Sequence, residues 1–248
     1  MFSSIHKTIA MYCLLFVMLA TASFFFFDSM IAERAKTFSR DDIHWLRYVS
    51  DLADTPAVLW VLLLLLILRE FKACAIGAFS VLMGGGIASV AKEAVGRVRP
   101  DGASESFPSG HATAAFAMAT VLSWRYPKLR LALYGAATFV ALSRIGLSKH
   151  FISDVMVGAA VGMACSACAI GLLDGLSESR FQCLRLASLP LLVPIACNSL
   201  PWDSSARASI IFAPVVLAAC THRYFADRKS MVLHGDDSRL ETIIMEAD

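Results

Sequence analysis

Three short polar breaks in a very apolar chain contain the residues that can do chemistry. They read Lys92-x6-Arg99-Pro100, then Pro108-Ser109-Gly110-His111, then Ser143-Arg144-x5-His150-x3-Asp154. Together they hold three cations, two histidines and one carboxylate. This combination suits an anion with several oxygens, because guanidinium groups bind such anions through paired hydrogen bonds and histidines move protons beside them.

The spacing of these residues favours phosphoryl transfer without a metal ion. Ser109 and Gly110 open a helix, because an apolar run follows at once, and helix N-termini expose N–H groups that attract phosphate. His150 and Asp154 are four residues apart, so on one helix they would share a face, where the carboxylate can orient the imidazole as a nucleophile. His111 is then free to protonate a leaving oxygen.

The three segments, in this order and with these spacings, resemble the signature of the type 2 phosphatidic acid phosphatase (PAP2) superfamily, which also includes vanadium haloperoxidases. The resemblance covers roughly residues 73–173. It implies that His150 attacks phosphorus and forms a phosphohistidine, that Asp154 orients His150, and that His111 donates the leaving-group proton. It implies no metal or other cofactor, and a larger set of phosphate-binding residues: Lys92, Arg99, Ser109, Gly110 and Arg144.

The composition indicates a polytopic membrane protein. Hydrophobic residues make up 57% of the chain, charged residues only 17%, and the mean hydropathy is +0.64, whereas ordinary soluble domains carry about 25% charged residues. The net charge of +2 is too small to suggest a nucleic-acid partner. We expect an all-α membrane helical bundle whose partners are the bilayer and a lipid phosphate substrate, with no obligate protein partner.

Apolar runs predict six core transmembrane helices, since a span needs roughly 20 residues. For the first run a cleaved signal peptide is the alternative, but the run continues past the candidate cleavage site and favours a retained helix. The segment 28–54 mixes apolar and basic residues and fits one or two interfacial amphipathic helices as well as a connecting loop. The predicted spans are about 9–27, 55–68, 73–91, 111–126, 131–145 and 152–173.

The order of the spans predicts that the polar breaks lie at one membrane edge, because the third and fifth spans run the same way. The loop from Lys92 to Ser109, which includes Ser106, is expected to be wet. Arg97 lies in this loop outside the signature and is interpreted as a solvated or headgroup-facing charge. Gly158-x3-Gly162 predicts a small-residue packing face.

The predicted organisation is a membrane-embedded catalytic domain at 1–173, with its catalytic segments at 92–154, then an apolar extension at 174–221 and a polar tail at 222–248. Apolar runs at 186–200 and 208–220 are two further spans or a re-entrant pair. Basic residues in the turns near 69–72, 125–130 and 222–229 favour a site on the outer face of a bacterial inner membrane, although the basic residues of 28–54 argue against it.

The expected function is hydrolysis of a phosphoric monoester or diphosphate on a membrane lipid. The compact size and short loops resemble bacterial lipid A 1-phosphatases, so lipid A 1-phosphate is the first candidate substrate. Phosphatidylglycerophosphate, undecaprenyl diphosphate and phosphatidic acid are the alternatives. A lipid phosphotransferase and a non-catalytic lipid-phosphate binding or transport protein remain open, but His111, His150 and Asp154 favour an enzyme because binding needs only the cations.

Overall fold

The regular secondary structure of the described residues is helical, apart from one isolated β-bridge between Val98 and Glu105. The computed structural model describes residues 2–37, 43–176 and 218. The predicted all-α class is confirmed. The helices are α1 (Phe2–Phe26), α2 (Asp28–Lys36), α3 (Trp45–Asp51), α4 (Thr55–Ile67), α5 (Phe71–Val95), α6 (Gly110–Arg125), α7 (Arg130–Gly146) and α8 (Ile152–Leu173), with a short 3-10 helix, Pro127–Leu129, before α7.

The bundle is organised around α8, which packs against α1, α5 and α6. Glycines on α8 let α6 approach closely, because a Cβ added at Gly162 would lie 2.2 Å from the carbonyl oxygen of Thr113. A Cβ added at Gly158 would lie 2.5 Å from the carbonyl oxygen of Ser109. The predicted packing face is therefore confirmed, and it sets the N-terminus of α6 beside the N-terminus of α8.

The polar breaks meet at one end of the bundle because successive long helices alternate in direction. Helices α5 and α7 end there, whereas α6 and α8 begin there. The opposite end carries two ion pairs, one between Lys72 and Asp174, with Nζ 2.9 Å from Oδ1, and one between Arg125 and Glu70. The prediction that the breaks share one edge is confirmed.

The end of α5 differs in detail from the pattern that the sequence predicts. Helix α5 extends to Val95, so Lys92 lies in its last turn and not in the following loop. Gly96 ends the helix with a φ of 59°, a left-handed conformation that glycine adopts without steric cost.

Residues 28–54 contain α2 and α3, which supports the helical alternative. The predictions for 186–200, 208–220 and 222–248 lie outside the described residues, apart from Ala218.

Helix lengths agree with an integral membrane protein. Among the described residues, three helical stretches are long and apolar enough to cross a membrane, namely Lys7–Phe26, Phe71–Val95 and Ile152–Leu173. Helices α3 and α4 would add a fourth span if the pair, bent by 48°, is counted as one. Helices α6 and α7 have only 16 and 17 residues, which is about 24–26 Å of rise at ~1.5 Å per residue. The number of spans stays a prediction.

Candidate active site

The loop between α5 and α6 folds into a small hairpin that turns two side chains toward α8. Ser106 N donates to the carbonyl oxygen of Arg97 at 2.6 Å, and Arg99 N donates to that of Ser104 at 3.1 Å. These bonds place Arg97 and Ser106 opposite each other. Both side chains reach the first turn of α8, where they contact Asp154.

His150 is buried in the loop between α7 and α8, with 2% of its surface exposed. The expectation that it shares a helix face with Asp154 is wrong, because α8 begins at Ile152. Its Nδ1 lies 2.8 Å from the carbonyl oxygen of Ser106. Because a carbonyl group only accepts, Nδ1 holds the proton and the lone pair remains on Nε2. Burial lowers the pKa of His150 from 6.5 to about 4. The imidazole is therefore neutral near pH 7 and has the tautomer that a nucleophilic Nε2 requires.

Asp154 is fully buried and reaches His150 through Ser106. Its Oδ2 lies 3.8 Å from His150 Nδ1, which is beyond hydrogen-bond distance. The same oxygen accepts from the hydroxyl of Ser106 and, at 2.9 Å, from the backbone N–H of Phe151. The expectation that the loop around Ser106 is wet is wrong at this position, because Ser106 is 0% exposed. Ser106 contacts both partners and is a site residue that the spacing did not reveal.

Arg97 is directed inward, so its interpretation as a solvated charge is wrong. Its Nη1 donates to Asp154 Oδ1 and to Ser153 Oγ, both at 2.7 Å, and its Nη2 donates to Asp28 Oδ2 at 2.8 Å. The guanidinium carbon also lies 3.8 Å from the ring centroid of Phe151. The side chain turns inward because two buried carboxylates need a compensating cation.

Asp28 ties the junction of α1 and α2 to the first turn of α8. It is 3% exposed and accepts from Ser23 Oγ at 2.8 Å and from Ser153 N at 3.1 Å. The hydroxyl of Ser153 and the guanidinium of Arg97 also donate to it. In the sequence, the one signal for this contact is an acid directly after an apolar run.

Lys92 and Arg99 meet at one carbonyl group of the hairpin. Lys92 Nζ and Arg99 Nε donate to the carbonyl oxygen of Glu105 at 3.0 and 3.2 Å. Lys92 also lies within electrostatic range of Arg99, Arg144 and Asp154. Cations this close repel one another, so the cluster favours an anion that lies between them.

Arg144 lies in the last turn of α7 and is 9% exposed. Its Nη1 donates to Ser50 Oγ at 2.5 Å, while its buried Nε has no hydrogen-bond partner in the described part of the chain. Unpaired buried N–H groups are rare, and a phosphate oxygen would satisfy this one. The carbonyl oxygen of Arg144 accepts from Lys149 N at 3.0 Å and His150 N at 3.3 Å, which holds His150 beside the cation.

Ser109 caps α6 and joins it to α8. Its Oγ accepts from Ala112 N at 3.5 Å, and its own N–H donates to the carbonyl oxygen of Asp154 at 3.0 Å. A Cβ added at Gly110 would meet nothing within 4 Å. The backbone at Gly110 therefore faces open space, where the N-terminus of α6 favours an anion.

His111 contacts a carboxylate from another part of the chain. Its Nε2 lies 2.7 Å from Oδ1 of Asp54, the residue that precedes α4. The side chains of His111 and Asp54 are 24% and 26% exposed. No local pattern indicates this pair, because 57 residues separate the two positions.

The predicted site residues lie within electrostatic range of one another. Arg144 interacts with Arg99 and with both histidines, His111 and His150. A cleft of about 570 Å³ opens beside Arg144 and is lined by further charged residues, among them Arg47, Asp101 and Lys149. Its lining does not include His111, His150, Lys92 or Arg99, so the cleft adjoins the site at Arg144. The arrangement can hold a multiply charged anion next to a neutral imidazole and a second histidine.

The site residues do not form a recognisable metal centre. In residues 2–37 and 43–176 no three His, Cys, Asp or Glu side chains are grouped so as to hold a metal ion. The independence of the reaction from a metal ion stays a prediction.

The predicted site residues lie within a stretch that matches a protein-family model. Residues 73–175 match the model of the PAP2 superfamily. A Lipid A 1-phosphatase of Porphyromonas gingivalis is 43% identical over 91 residues, which are 35% of this chain and 20% of that protein. Two further Lipid A 1-phosphatases are each 33% identical. The protein of Rhizobium johnstonii matches over 34% of this chain and 41% of its own length. The protein of Rhizobium etli matches over 35% of this chain and 46% of its own length. The chain thus spans less than half the length of these curated relatives.

Two solved structures share the fold. The structure of Aquifex aeolicus LpxE is 22% identical, with a TM-score of 0.52 over 58% of this chain and 93% of that chain. A transmembrane PAP2 type phosphatidylglycerolphosphate phosphatase from Bacillus subtilis is 21% identical, with a TM-score of 0.56 over 68% of this chain and 98% of that chain. The fold is that of a transmembrane helical bundle, and the segment that carries the site lies within the residues that match the PAP2 superfamily model, 73–175.

Proposed function

We propose that this chain is a phosphatase that removes a phosphate group from a membrane lipid through a phosphohistidine at His150. The observation that carries the proposal is the pairing of His150 with Arg144. His150 has its lone pair on Nε2, and Arg144 has a buried Nε without a partner among the described residues. A nucleophile beside an unsatisfied guanidinium suits a phosphorus atom whose oxygens are anionic.

The reaction then has two steps. Nε2 of His150 attacks phosphorus, the bond to the ester oxygen breaks, and His111 gives its proton to the departing oxygen. Water next attacks the phosphorus atom of the phosphohistidine while His111 takes a proton from the water. The bond between phosphorus and Nε2 of His150 breaks, and phosphate leaves. The phosphoryl oxygens are held by cations and helix N–H groups, which removes the need for a metal ion. This role falls to Lys92, Arg99, Arg144, Ser109 and Gly110.

The first candidate substrate is lipid A 1-phosphate, which the names of three curated relatives support. Phosphatidylglycerophosphate is the first alternative, because the Bacillus subtilis protein that shares the fold is a phosphatidylglycerolphosphate phosphatase. Undecaprenyl diphosphate and phosphatidic acid remain in the test panel. We place the site on the outer face of a bacterial inner membrane, within a catalytic domain at 1–173 that an extension at 174–221 and a tail at 222–248 follow.

The test measures phosphate release from the four lipids in detergent micelles with EDTA present. Wild type is compared with His150→Ala and with the matched control Glu33→Gln, an exposed residue of α2. We expect release by wild type and the control and none by His150→Ala, with the fastest lipid naming the substrate. Brief mixing with a ³²P-labelled substrate should trap an acid-labile, alkali-stable phosphoprotein in wild type.

Two results contradict the proposal in different ways. Equal release by wild type and His150→Ala would remove His150 as the nucleophile. Binding of the lipids without release would assign the pocket to a binding protein, unless labelled phosphate appears on an added acceptor lipid, which would identify a phosphotransferase.

A further inference from the structure

Asp54 occupies a position where its side chain would ordinarily serve its own helix. It precedes α4 with extended backbone angles, φ −69° and ψ 157°, as an N-cap residue does. Aspartate at this position commonly accepts a hydrogen bond from the first turn of the helix that it precedes. In this structure the side chain makes no such cap bond. Its Oδ1 instead lies 2.7 Å from Nε2 of His111.

The contact shows which nitrogen of His111 faces Asp54. A carboxylate only accepts, so Nε2 of His111 holds a proton toward Asp54. The other ring nitrogen, Nδ1, is then the one that can reach a departing oxygen. His111 also lies near the guanidinium of Arg144, whose charge disfavours a second proton on the imidazole. The carboxylate of Asp54 acts against that repulsion.

We propose that Asp54 is a positioning residue that orients His111 and stabilises its protonated form, so that Nδ1 delivers a proton to the departing oxygen. The proposal rests on the proposed function. When Nε2 of His150 bonds to phosphorus and the ester bond breaks, the Nδ1 proton passes to the ester oxygen. His111 is left neutral with its Nε2–H still on Asp54, ready to accept a proton from the attacking water.

Substrates with different leaving groups can distinguish this positioning role of Asp54 from a purely structural one. A lipid alkoxide is a poor leaving group and needs a proton, whereas p-nitrophenolate leaves readily without one. We expect Asp54→Asn to lower kcat/KM for the lipid phosphate by about 10-fold or more, toward the ~10²–10⁴-fold that a general acid contributes. The same variant should keep kcat/KM for p-nitrophenyl phosphate near the wild-type value. The parameter kcat/KM is chosen because it reports the step in which the leaving group departs.

Three variants complete the experiment. His111→Ala should show the same selective loss, and to a greater extent. Asp54→Glu retains the charge and should recover part of the lipid activity. Glu33→Gln, which removes an exposed carboxylate of α2, should leave both substrates unaffected.

The outcomes distinguish failure of this inference from failure of the proposed function. If wild type hydrolyses neither compound, the proposed function fails. If wild type hydrolyses both and Asp54→Asn lowers both by the same factor, Asp54 has only a structural role and the inference is wrong. Melting curves in detergent accompany each variant, and if Asp54→Asn does not fold, the comparison of the two substrates is made with Asp54→Glu, whose equal loss on both would overturn the inference.

Discussion

Ser106 offers His150 and Asp154 two different groups. Its carbonyl oxygen accepts from Nδ1 of His150, and its hydroxyl donates to Oδ2 of Asp154. The carbonyl sets the tautomer of the nucleophile, and the hydroxyl connects the nucleophile to a fully buried charge. These two functions can be separated by mutation, because a side-chain change leaves the carbonyl group in place.

Replacing Ser106 by alanine should therefore weaken catalysis without abolishing it. The Nδ1 contact survives, but Asp154 loses one donor and a link to His150, and such supporting contacts are commonly worth about 10–100-fold. We expect kcat to fall within that range and KM to change little, in steady-state assays of phosphate release. Ser104→Ala, an exposed position in the same hairpin, is the control. Equal losses of kcat in the two variants would show that the hairpin tolerates no change. An unchanged kcat in Ser106→Ala would show that the link from Asp154 to His150 through the Ser106 hydroxyl does not support catalysis.

The protonation of His150 predicts the acid side of the pH profile. Burial lowers its pKa to about 4, Arg144 acts in the same direction, and Asp154 opposes the shift. A nucleophile must be neutral, so activity persists above the pKa and falls by about tenfold per pH unit below it. We expect the limb of kcat/KM that belongs to His150 near pH 4. The ionisation of the substrate's phosphate is measured by ³¹P NMR, and kcat/KM at each pH is corrected for it. If the corrected kcat/KM still falls near the ordinary histidine pKa of about 6.5, the prediction is contradicted.

At the scale of helices, a chain of charges connects α2 to the catalytic turn. Arg97 lies between Asp28, at the start of α2, and Asp154, in the first turn of α8. Both carboxylates are nearly or fully buried. The N-terminal helices thus contact the site through ion pairs, and the packing of α1 against α8 is only part of what holds them.

Replacing Arg97 by alanine leaves both carboxylates without their cation. Breaking a buried pair by removing one partner costs about 3–5 kcal/mol, so we expect a lower melting temperature in detergent together with a large loss of phosphate release. Arg97→Lys should recover part of the stability, because an ammonium group retains the charge but lacks the planar fork that reaches two carboxylates. Arg34→Ala, which removes an exposed arginine of α2, should change neither quantity. Unchanged stability in Arg97→Ala would show that these carboxylates find other partners.

The contrast between Asp154 and Arg97 shows how far a sequence can predict this site. His150 and Asp154 sit at a loop and helix start where fixed spacing determines their neighbours, and the order of apolar runs predicts the shared membrane edge. Arg97, Ser106 and Asp54 were not predicted, because their contacts join segments that are distant in the chain. No local pattern records which side chain of a polar loop turns inward, and the same limit applies to the indirect link between Asp154 and His150.

At the scale of the whole molecule, the two ends of the bundle both carry basic residues. The end opposite the site holds Lys72, paired with Asp174, and Arg125, paired with Glu70, as well as exposed Lys128. The site end holds more cations, but many of them serve carboxylates or the phosphate pocket: Lys92, Arg97, Arg99, Arg144 and Lys149. A rule that counts basic residues in loops is weakened where cations have such partners. Because Lys72 and Arg125 at the far end are paired as well, the rule does not decide between the two ends, and the outer-facing site stays a proposal.

The proposed sidedness can be tested with two cysteine substitutions, one at each end. Ser104 is exposed in the site hairpin, and Lys128 is exposed in the turn between α6 and α7. With a membrane-impermeant thiol reagent on intact cells with opened outer membranes, Ser104→Cys should be labelled at once. Lys128→Cys should be labelled only after the inner membrane is permeabilised, with the parent chain's own cysteines giving the background. The reverse pattern would turn the site toward the cytoplasm, and the substrate would then have to come from the inner leaflet.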